Sequence, residues 1–442
     1  MATEQRQTDY LIIGAGAMGM AFADVVFQAR PDARIILADR RDRAGGHWVD
    51  AYPFVTLHQP AAFYGAPSAK LGSGGGDLAS HTQLLAYYEG LMKRFLASGR
   101  VEFLPQTEYR GSGQLVSTLD ADHRIEVTTH QRVVDATCMN VEVPAMRPPR
   151  FEVDPAAALI PINRLSAIRQ PWERYVVIGG GKTGIDAVLY LLGRGVAAER
   201  IDWIVPNDAW LWNRAGVQPG IVGAELMRMT QAVVDAGNVD DVFLRLEQQG
   251  SVMRLDDTVE PTKWRCATVN RDELAALRRI DNVVRLGRVE AITTDEIRLE
   301  QGSLPTDGNT LHVDCTANGL ARLDPRPMFA PGEIALQSVF MCQQVFSAAL
   351  VARIALLDLN DEQRNGICTV VPHPEQVQDL PGCLNTSLQN LLRANRHFPW
   401  WLRRCRLNPI GHDSVWRYLH TARAAQRLQA DTERAVERLA AA

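Results

Sequence analysis

Two short glycine motifs, far apart in the chain, carry the clearest chemical signal in this sequence. Both follow the order Gly-x-Gly-x-x-Gly, with Gly14, Gly16 and Gly19 in the first and Gly179, Gly181 and Gly184 in the second. In such a motif the first glycine permits a tight strand-to-helix turn, the second lets the backbone approach a pyrophosphate, and the third lets helix and strand pack closely. Free N–H groups at the helix N-terminus then favour the anion. The two motifs predict two dinucleotide-binding sites.

Each motif stands between an apolar run and a helix-like segment, and a second apolar run follows. The predicted strand, helix and strand are residues 10–13, 20–29 and 34–38 in the first unit, and residues 175–178, 185–194 and 200–205 in the second. Periodicity alone does not separate a short apolar strand from a buried helix, but the placement of the glycines does. The sequence therefore predicts an α/β protein with two Rossmann-like domains.

An acidic residue at the end of the second strand would complete each nucleotide site by binding the ribose. Asp39 stands about 20 residues beyond Gly19, at the spacing that the geometry asks for. In the second unit the prediction stays open between two cofactors. Asp208 would favour the unphosphorylated ribose of NADH, whereas Arg200 or Arg214 would face the extra phosphate of NADPH unless it forms a surface salt bridge.

The order of the elements predicts a discontinuous first domain. The proline-rich residues 144–149 cannot sustain a helix or a central strand and mark a boundary. We assign residues 1–170 and 320–442 to one domain and residues 171–319 to the other. We expect helices over residues 220–249, over the apolar residues 339–359 and from Ser414 to the end.

Charge and cysteine usage exclude several classes of protein. The formal net charge of -4 gives no electrostatic footprint for nucleic acid or an anionic membrane, and we interpret the arginines at residues 393–406 as a solvated helix face. The seven cysteines include no C-x-x-C pair, so we expect neither a metal site nor a redox dithiol. The scattered thiols and the absence of a signal-like N-terminus predict a cytoplasmic protein. A homodimer is left open.

The residues after Asp39 resemble a known family. The run Arg40-Arg-Asp-Arg-Ala-Gly45-Gly46-His47-Trp48 resembles the FAD domain of the flavin-containing monooxygenases, with their Baeyer–Villiger and N-hydroxylating relatives. Residues 134–137 and 313–319 are similar to the two Ala-Thr-Gly-type linkers of that family. The resemblance implies that FAD is bound by Gly14, Gly16, Gly19, Asp39, Gly46 and Trp48, and the nicotinamide nucleotide by Gly179, Gly181, Gly184 and Arg214.

The reaction that the resemblance implies is an oxygen transfer. NADPH or NADH would reduce the flavin, O2 would be captured as a C4a-(hydro)peroxyflavin, and one oxygen atom would pass to a small apolar or aromatic organic substrate. Many members place an asparagine near the oxygen adduct; here His58 or Gln59 takes that position and is the candidate catalytic residue, with the histidine as a possible proton source.

The sequence also departs from the family. Residues 151–165 lack the fingerprint that joins the two domains, and Cys138 replaces a linker glycine. Two alternatives therefore stay open: a flavin dehydrogenase or oxidase without oxygen insertion, and a non-catalytic flavin-binding sensor. Hydroxylation, N-oxidation and Baeyer–Villiger insertion are not distinguished by the sequence.

Overall fold

The computed structural model describes residues 3–139, 142–317 and 323–441. The first ten strands are β1 (Thr3–Ile13), β2 (Ile35–Ala38), β3 (Val101–Leu104), β4 (Thr107–Gly111), β5 (Gln114–Ser117), β6 (Arg124–Asp135), β7 (Glu152–Val153), β8 (Leu159–Pro161), β9 (Arg174–Ile178) and β10 (Ile201–Ile204). The following strands are β11 (Ala209–Asn213), β12 (Val252–Met253), β13 (Lys263–Val269), β14 (Val283–Val284), β15 (Val289–Ile292), β16 (Glu296–Leu299), β17 (Gly302–Pro305), β18 (Thr310–Asp314), β19 (Phe329–Ala330) and β20 (Glu333–Ala335).

The helices connect these strands and then form the C-terminal region. They are α1 (Ala17–Ala29), α2 (His81–Ala97), α3 (Lys182–Gly193), α4 (Val222–Asp235), α5 (Val239–Gln248), α6 (Arg271–Leu277), α7 (Gln344–Ala355), α8 (Asp361–Ile367), α9 (Asp379–His397), α10 (Pro399–Arg404) and α11 (Val415–Ala441). Among the described residues, no helix has both the length and the apolarity of a membrane span.

The first sheet is built from both ends of the chain. Its parallel core has the order β20-β6-β1-β2-β3, and the β4–β5 hairpin continues from β6. The helix α1 joins β1 to β2 and packs along α7, which follows β20. This arrangement confirms the discontinuous Rossmann-like unit that the sequence predicts.

The second parallel sheet has the order β14-β10-β9-β18-β8, with α3 joining β9 to β10. Two smaller sheets, β12-β11-β13 and β17-β16-β15-β7, belong to the same part of the chain. The strands β7 and β8 pair here although they precede residue 171, so the strand pairing of this unit begins earlier than the predicted domain boundary.

The two glycine turns have nearly the same backbone geometry. Gly14 and Gly179 adopt φ angles of +98° and +126°, which only glycine reaches without strain. A Cβ built on Gly19 would lie 1.9 Å from the Gly14 carbonyl oxygen, and one on Gly184 would lie 1.8 Å from that of Gly179. The first glycine therefore makes the turn, and the third lets the helix pack against its own strand.

The C-terminal region is helical, as predicted, with α11 packed against α4 and α9. Two helix predictions need correction. Residues 220–249 form two helices, because Asn238 accepts the backbone N–H of Asp241 and begins α5 as a new helix. Residues 339–359 are helical only over Gln344–Ala355, since Ser347 Oγ accepts the Val339 and Phe340 amides and holds the preceding segment outside the helix.

The close approach at the third glycine predicts a large loss of stability on substitution. Gly184→Ala would press a methyl group into the Gly179 carbonyl, and we expect the free energy of unfolding to fall by about 3 kcal/mol. Gly193→Ala, in the same helix but with no atom within 4 Å of the new Cβ, is the matched control and should be neutral or raise stability by up to about 1 kcal/mol. Urea denaturation of both variants measures the difference; equal stabilities would contradict the packing role.

Candidate functional site

One large cavity, of about 1400 Å³, opens onto both glycine turns. One end is lined by Gly14, Gly16 and Asp39, and the other by residues 179–183. The wall between the two ends carries polar and sulfur-containing side chains, namely His58, Gln59, Cys266, Cys342, Gln344 and His373. The cavity therefore joins the two predicted nucleotide sites into one space.

Asp39 is fixed against the first glycine loop. It is 5% exposed and lines the cavity at the end of β2. Its Oδ2 accepts the Ala15 backbone N–H at 2.7 Å, and its Oδ1 accepts that of Arg41 at 2.9 Å. Each carboxylate oxygen keeps a further lone pair, so the side chain is both held in place and able to accept hydroxyl groups.

The Gly45–Gly46 pair packs directly on the first glycine loop. Gly46 has a φ of +60°, and a Cβ on it would lie 2.8 Å from the Gly16 Cα. The Gly45 N–H donates to the Ala15 carbonyl at 2.9 Å. Trp48 follows on the cavity wall, and its Nε1–H donates to the Tyr64 hydroxyl at 2.7 Å. Gly46 shapes the loop, therefore, while Trp48 presents an oriented ring.

The two linker motifs run beside the glycine turns. A Cβ on Gly14 would lie 3.1 Å from Thr137 Cγ2, and one on Gly179 would lie 2.9 Å from the Cys315 carbonyl oxygen. Residues 135–137 and 315–317 line the cavity, whereas Asn318 and Gly319, at the end of the second motif, lie outside the described residues.

Lys182 brings positive charge into the second glycine loop. Its ammonium group pairs with Asp186, one helical turn further along α3. The Tyr52 hydroxyl, from the first unit, donates to the same Asp186 carboxylate at 2.5 Å. Burial and the Asp186 charge raise the pKa of Tyr52 well above its usual value. This cluster ties the two units together at the cavity, and no spacing pattern in the sequence signals it.

Each residue that the sequence predicts to contact the second ribose or its phosphate is bonded to another part of the protein. Arg214 is 7% exposed and pairs with Glu273 at 2.8 Å, and its Nε–H donates to the His58 carbonyl at 3.0 Å. Asp208 is buried against Arg285 at 2.8 Å. Arg200 donates to backbone carbonyls of residues 172 and 173. The structure gives these side chains fold-stabilising contacts and does not bring them to the cavity wall.

His58 and Gln59 lie together on the cavity wall. Gln59 Oε1 accepts from Gln343 Nε2 at 2.7 Å, which leaves its N–H groups as the donors it can offer. Burial, with the charges of Lys182 and Arg214, lowers the pKa of His58 to about 3. The imidazole is therefore neutral at pH 7, and its Nδ1 has no hydrogen-bond partner among the described residues. The role of His58 as a proton source stays a prediction.

A cysteine pair was missed by the sequence reasoning. Cys266 and Cys342 form a disulfide across 76 residues of sequence, with their Cα atoms 6.8 Å apart, and both line the cavity. The expectation of scattered thiols without a pair is corrected here, because β13 and the segment before α7 meet only in the folded chain. His373 also lines this wall, and burial lowers its pKa to about 4. No spacing pattern signals either feature.

Within the described residues, no group of three or more His, Cys, Asp or Glu side chains could hold a metal ion.

Solved structures of similar shape define the class of fold. The chain aligns over 98% of its length with a polycyclic ketone monooxygenase from the fungus Thermothelomyces thermophila, at a TM-score of 0.53 and 11% identity, covering 89% of that chain. A cyclohexanone monooxygenase from Rhodococcus sp. Phi1, bound to NADP+, gives a TM-score of 0.52 at 11% identity, with 98% of each chain covered. This protein therefore has the fold of the class B flavin monooxygenases, which confirms the fold that the resemblance implied.

The sequence comparisons give a nearer relationship. No family model matches the sequence. The chain is 39% identical over 420 residues to the uncharacterized protein Rv2000 of Mycobacterium tuberculosis, an alignment that spans 91% of this chain and 78% of that protein, and equally to the uncharacterized protein Mb2023 of Mycobacterium bovis. It belongs to the family of these mycobacterial proteins. The FAD-dependent monooxygenase resA of Aspergillus sclerotiorum is 28% identical over 224 residues, 45% of this chain and 36% of that enzyme.

The disulfide predicts a thiol count that can be measured. Alkylation of the unfolded protein should modify two more thiols per chain after reduction than before it. Cys342→Ser should abolish this difference, and Cys138→Ser should leave it at two, because Cys138 is not part of the disulfide. Mass spectrometry of the alkylated chains gives the count; a wild type with the same count before and after reduction would contradict the disulfide.

Buried neutral histidines predict a loss of stability in acid. Burial lowers the pKa of His47 and His373 to about 4 and that of His58 to about 3, so between these values and about pH 6.5 the unfolded chain binds protons that the folded chain does not. Stability is then complete above about pH 6.5 and falls as the pH drops, by up to about 1.4 kcal/mol per pH unit for each histidine. Denaturant unfolding from pH 7.5 to 5 measures the slope.

The slope should become shallower in His373→Gln, whereas His123→Gln, at an exposed histidine, should leave it unchanged. A slope that is the same in all three proteins would rule out this origin.

Proposed function

We propose that this chain is an FAD-dependent monooxygenase that uses NAD(P)H and transfers one atom of O2 to a small apolar or aromatic organic substrate. The observation that carries the proposal is the single cavity onto which both glycine turns and Asp39 open. The shared fold of the class B flavin monooxygenases and the weaker sequence likeness to the fungal FAD-dependent monooxygenase support the same reaction class.

The first unit fits FAD. The N-terminus of α1 and the loop from Gly14 to Gly16 would bind the pyrophosphate through backbone N–H groups. Asp39 would accept the ribose hydroxyls, and Trp48 with its neighbours would shield the ring system from water. FAD bound here would supply hydride acceptance and the activation of O2.

The second unit fits a nicotinamide dinucleotide. Gly181 has no atom within 4 Å of a built Cβ, which leaves room for a pyrophosphate at the start of α3, and Lys182 adds positive charge beside it. Lys263 pairs in register with Ala209 at the start of β11, the strand that follows β10, and it lines the cavity with its ammonium group 3.7 Å from a Glu375 carboxylate oxygen. The extra ribose phosphate of NADPH would lie in this region. We therefore propose that Lys263 binds this phosphate and that NADPH is the preferred cofactor.

His58 and Gln59 would act where the two cofactors meet. The N–H groups of Gln59 can donate to a developing negative charge on oxygen, and Gln343 holds the side chain in place for that role. The neutral His58 can exchange a hydrogen bond without adding a charge to the site. Catalysis would then depend on a positioned donor in a shielded cavity.

A second candidate function follows from the cavity disulfide. Cys266–Cys342 could accept two electrons and two protons, delivered as the hydride of NADPH by way of FAD and one proton from water, to give two thiols. The chain would then be a flavin-dependent disulfide oxidoreductase. The pair has no C-x-x-C spacing, so oxygen transfer remains our first proposal.

The decisive experiment combines cofactor retention with isotope labelling. The purified protein should show the visible absorption bands of oxidised flavin, and Asp39→Ala should lose the flavin on gel filtration because the ribose loses its acceptor. Asp42→Ala, at an exposed acid nearby, is the matched control. With NADPH, thioanisole and 18O2, the sulfoxide should carry one labelled oxygen atom.

Each alternative has its own outcome in the same assay. Hydrogen peroxide equal to the NADPH consumed, with no label in any sulfide, ketone or amine probe, would identify an oxidase. Two new thiols after anaerobic NADPH would identify the disulfide oxidoreductase, and a protein that neither retains flavin nor oxidises NAD(P)H would be a binding protein.

Lys263→Ala should raise the KM for NADPH about tenfold and leave that for NADH unchanged.

A further inference from the structure

The C-terminal helices place large apolar side chains in solvent. Nine large hydrophobic residues are exposed in the described chain, and five of them are Ile221, Trp400, Val415, Trp416 and Leu419. Trp400 and Trp416 are 75% and 83% exposed, whereas tryptophan side chains in folded proteins are mostly buried. The other four are scattered over separate parts of the chain, so within the described residues only this region concentrates them.

Hydrogen bonds and a cation–π contact join these elements to one another. Arg403, on α10, donates to the carbonyls of Gly411 and Asp413 at 2.5 and 2.8 Å, and its guanidinium lies over the Tyr418 ring of α11 at 5.6 Å. Arg417 donates to the Gly220 carbonyl at 3.0 Å, which joins the first turn of α11 to the segment before α4. Trp400 and Trp416 therefore belong to neighbouring elements.

The same region is strongly basic. Residues 380–430 contain eight arginines, no lysine and a single acid, Asp413. Asp413 is 3% exposed and so adds no negative charge to the surface. Arg404, Arg417 and Arg423 are exposed, and the first two lie within one helical turn of Trp400 and Trp416 along the chain. The net charge of -4 for the whole chain therefore hides a positive region.

The predicted solvated arginine face is only partly correct. Arg406 donates to the carbonyls of Ala61, Tyr64 and Ala66, and Arg403 ties α10 to α11, so both are structural. Arg404, by contrast, is exposed one helical turn beyond Trp400. The exposed arginines thus accompany the exposed tryptophans.

We infer that this surface, formed by Ile221, Trp400, Arg404, Val415, Trp416, Arg417 and Leu419, docks on an anionic phospholipid bilayer. Tryptophan has an apolar body with one polar N–H and is favoured at the boundary between headgroups and acyl chains. Aliphatic neighbours would enter the same boundary, and arginines would meet the lipid phosphates. Residues of this kind on a folded surface fit a protein that lies on a membrane without crossing it.

The charge and the apolar side chains of the surface favour a lipid bilayer over a second copy of the chain or a nucleic acid. A second copy of the chain, docked by the same surface, would oppose arginine to arginine across an interface with no acid on either side. A nucleic acid would satisfy the arginines and could stack on the rings, but it would leave Val415, Leu419 and Ile221 without an apolar partner. A lipid surface satisfies all three kinds of side chain at once.

The test is sedimentation of the purified protein with vesicles. We expect binding to vesicles of phosphatidylcholine with 30% phosphatidylglycerol, weaker binding in high salt, and little binding to phosphatidylcholine alone. Trp400→Ala with Trp416→Ala should weaken binding at least tenfold, and Arg404→Glu at least fivefold, since each arginine near an anionic surface contributes roughly fivefold. None of these side chains is buried, so the variants should stay folded, which circular dichroism checks.

Leu119→Ala and Arg34→Glu change exposed residues outside this surface and are the matched controls, with binding expected to be unchanged. Equal binding by the wild type and the double-tryptophan variant would overturn the proposal. So would a dimer, seen by analytical ultracentrifugation, that dissociates in that variant, or binding of a fluorescent oligouridine without binding of the anionic vesicles.

Discussion

The contact between a helix and the carbonyl of its own strand turn, made twice in this chain, fixes most of the rest of the structure. At Gly19 and at Gly184 the helix approaches a carbonyl oxygen more closely than any Cβ would allow. Because the helix packs so closely, its N-terminal N–H groups face the end of the strand, where the cavity lies. Asp39 bonds to the loop of the first turn, and the linker residues Thr137 and Cys315 lie against Gly14 and Gly179.

The first turn is also a packing surface for a later part of the chain. Gly16 and Gly46 meet backbone to backbone, and the Gly45 amide bonds to Ala15. A side chain on Gly46 would push this loop away and carry Trp48 with it. Close packing by itself therefore explains the glycine pair in the run after Asp39.

Buried polar groups then set the two units relative to one another. Tyr52 of the first unit bonds to Asp186 of the second, and Arg214 of the second bonds to the carbonyl of His58. Each of these groups would lose its partner if the units moved apart, and an unpaired buried polar group is costly. The same contacts bring positive charge toward the His58 imidazole, which adds to the effect of burial in lowering the pKa of that histidine.

The sequence by itself determined the two nucleotide units, because their glycines act through backbone geometry that depends on local spacing. It located Asp39 for the same reason, and the discontinuous first sheet followed from the order of the predicted strands. It could not assign Arg214 or Asp208, since each is held by a partner 59 or more residues away, Glu273 and Arg285 respectively.

Only the tertiary structure decided what long-range packing creates. It brought Cys266 to Cys342, placed Lys263 beside Ala209 at the start of β11, and held some C-terminal arginines, such as Arg406, against backbone carbonyls while it left others, such as Arg404, exposed. The physical reason is the same in each case: burial and partners are properties of surfaces that meet in space. A pattern along the chain predicts local geometry. It predicts a long-range contact only where a glycine or the end of a strand requires one.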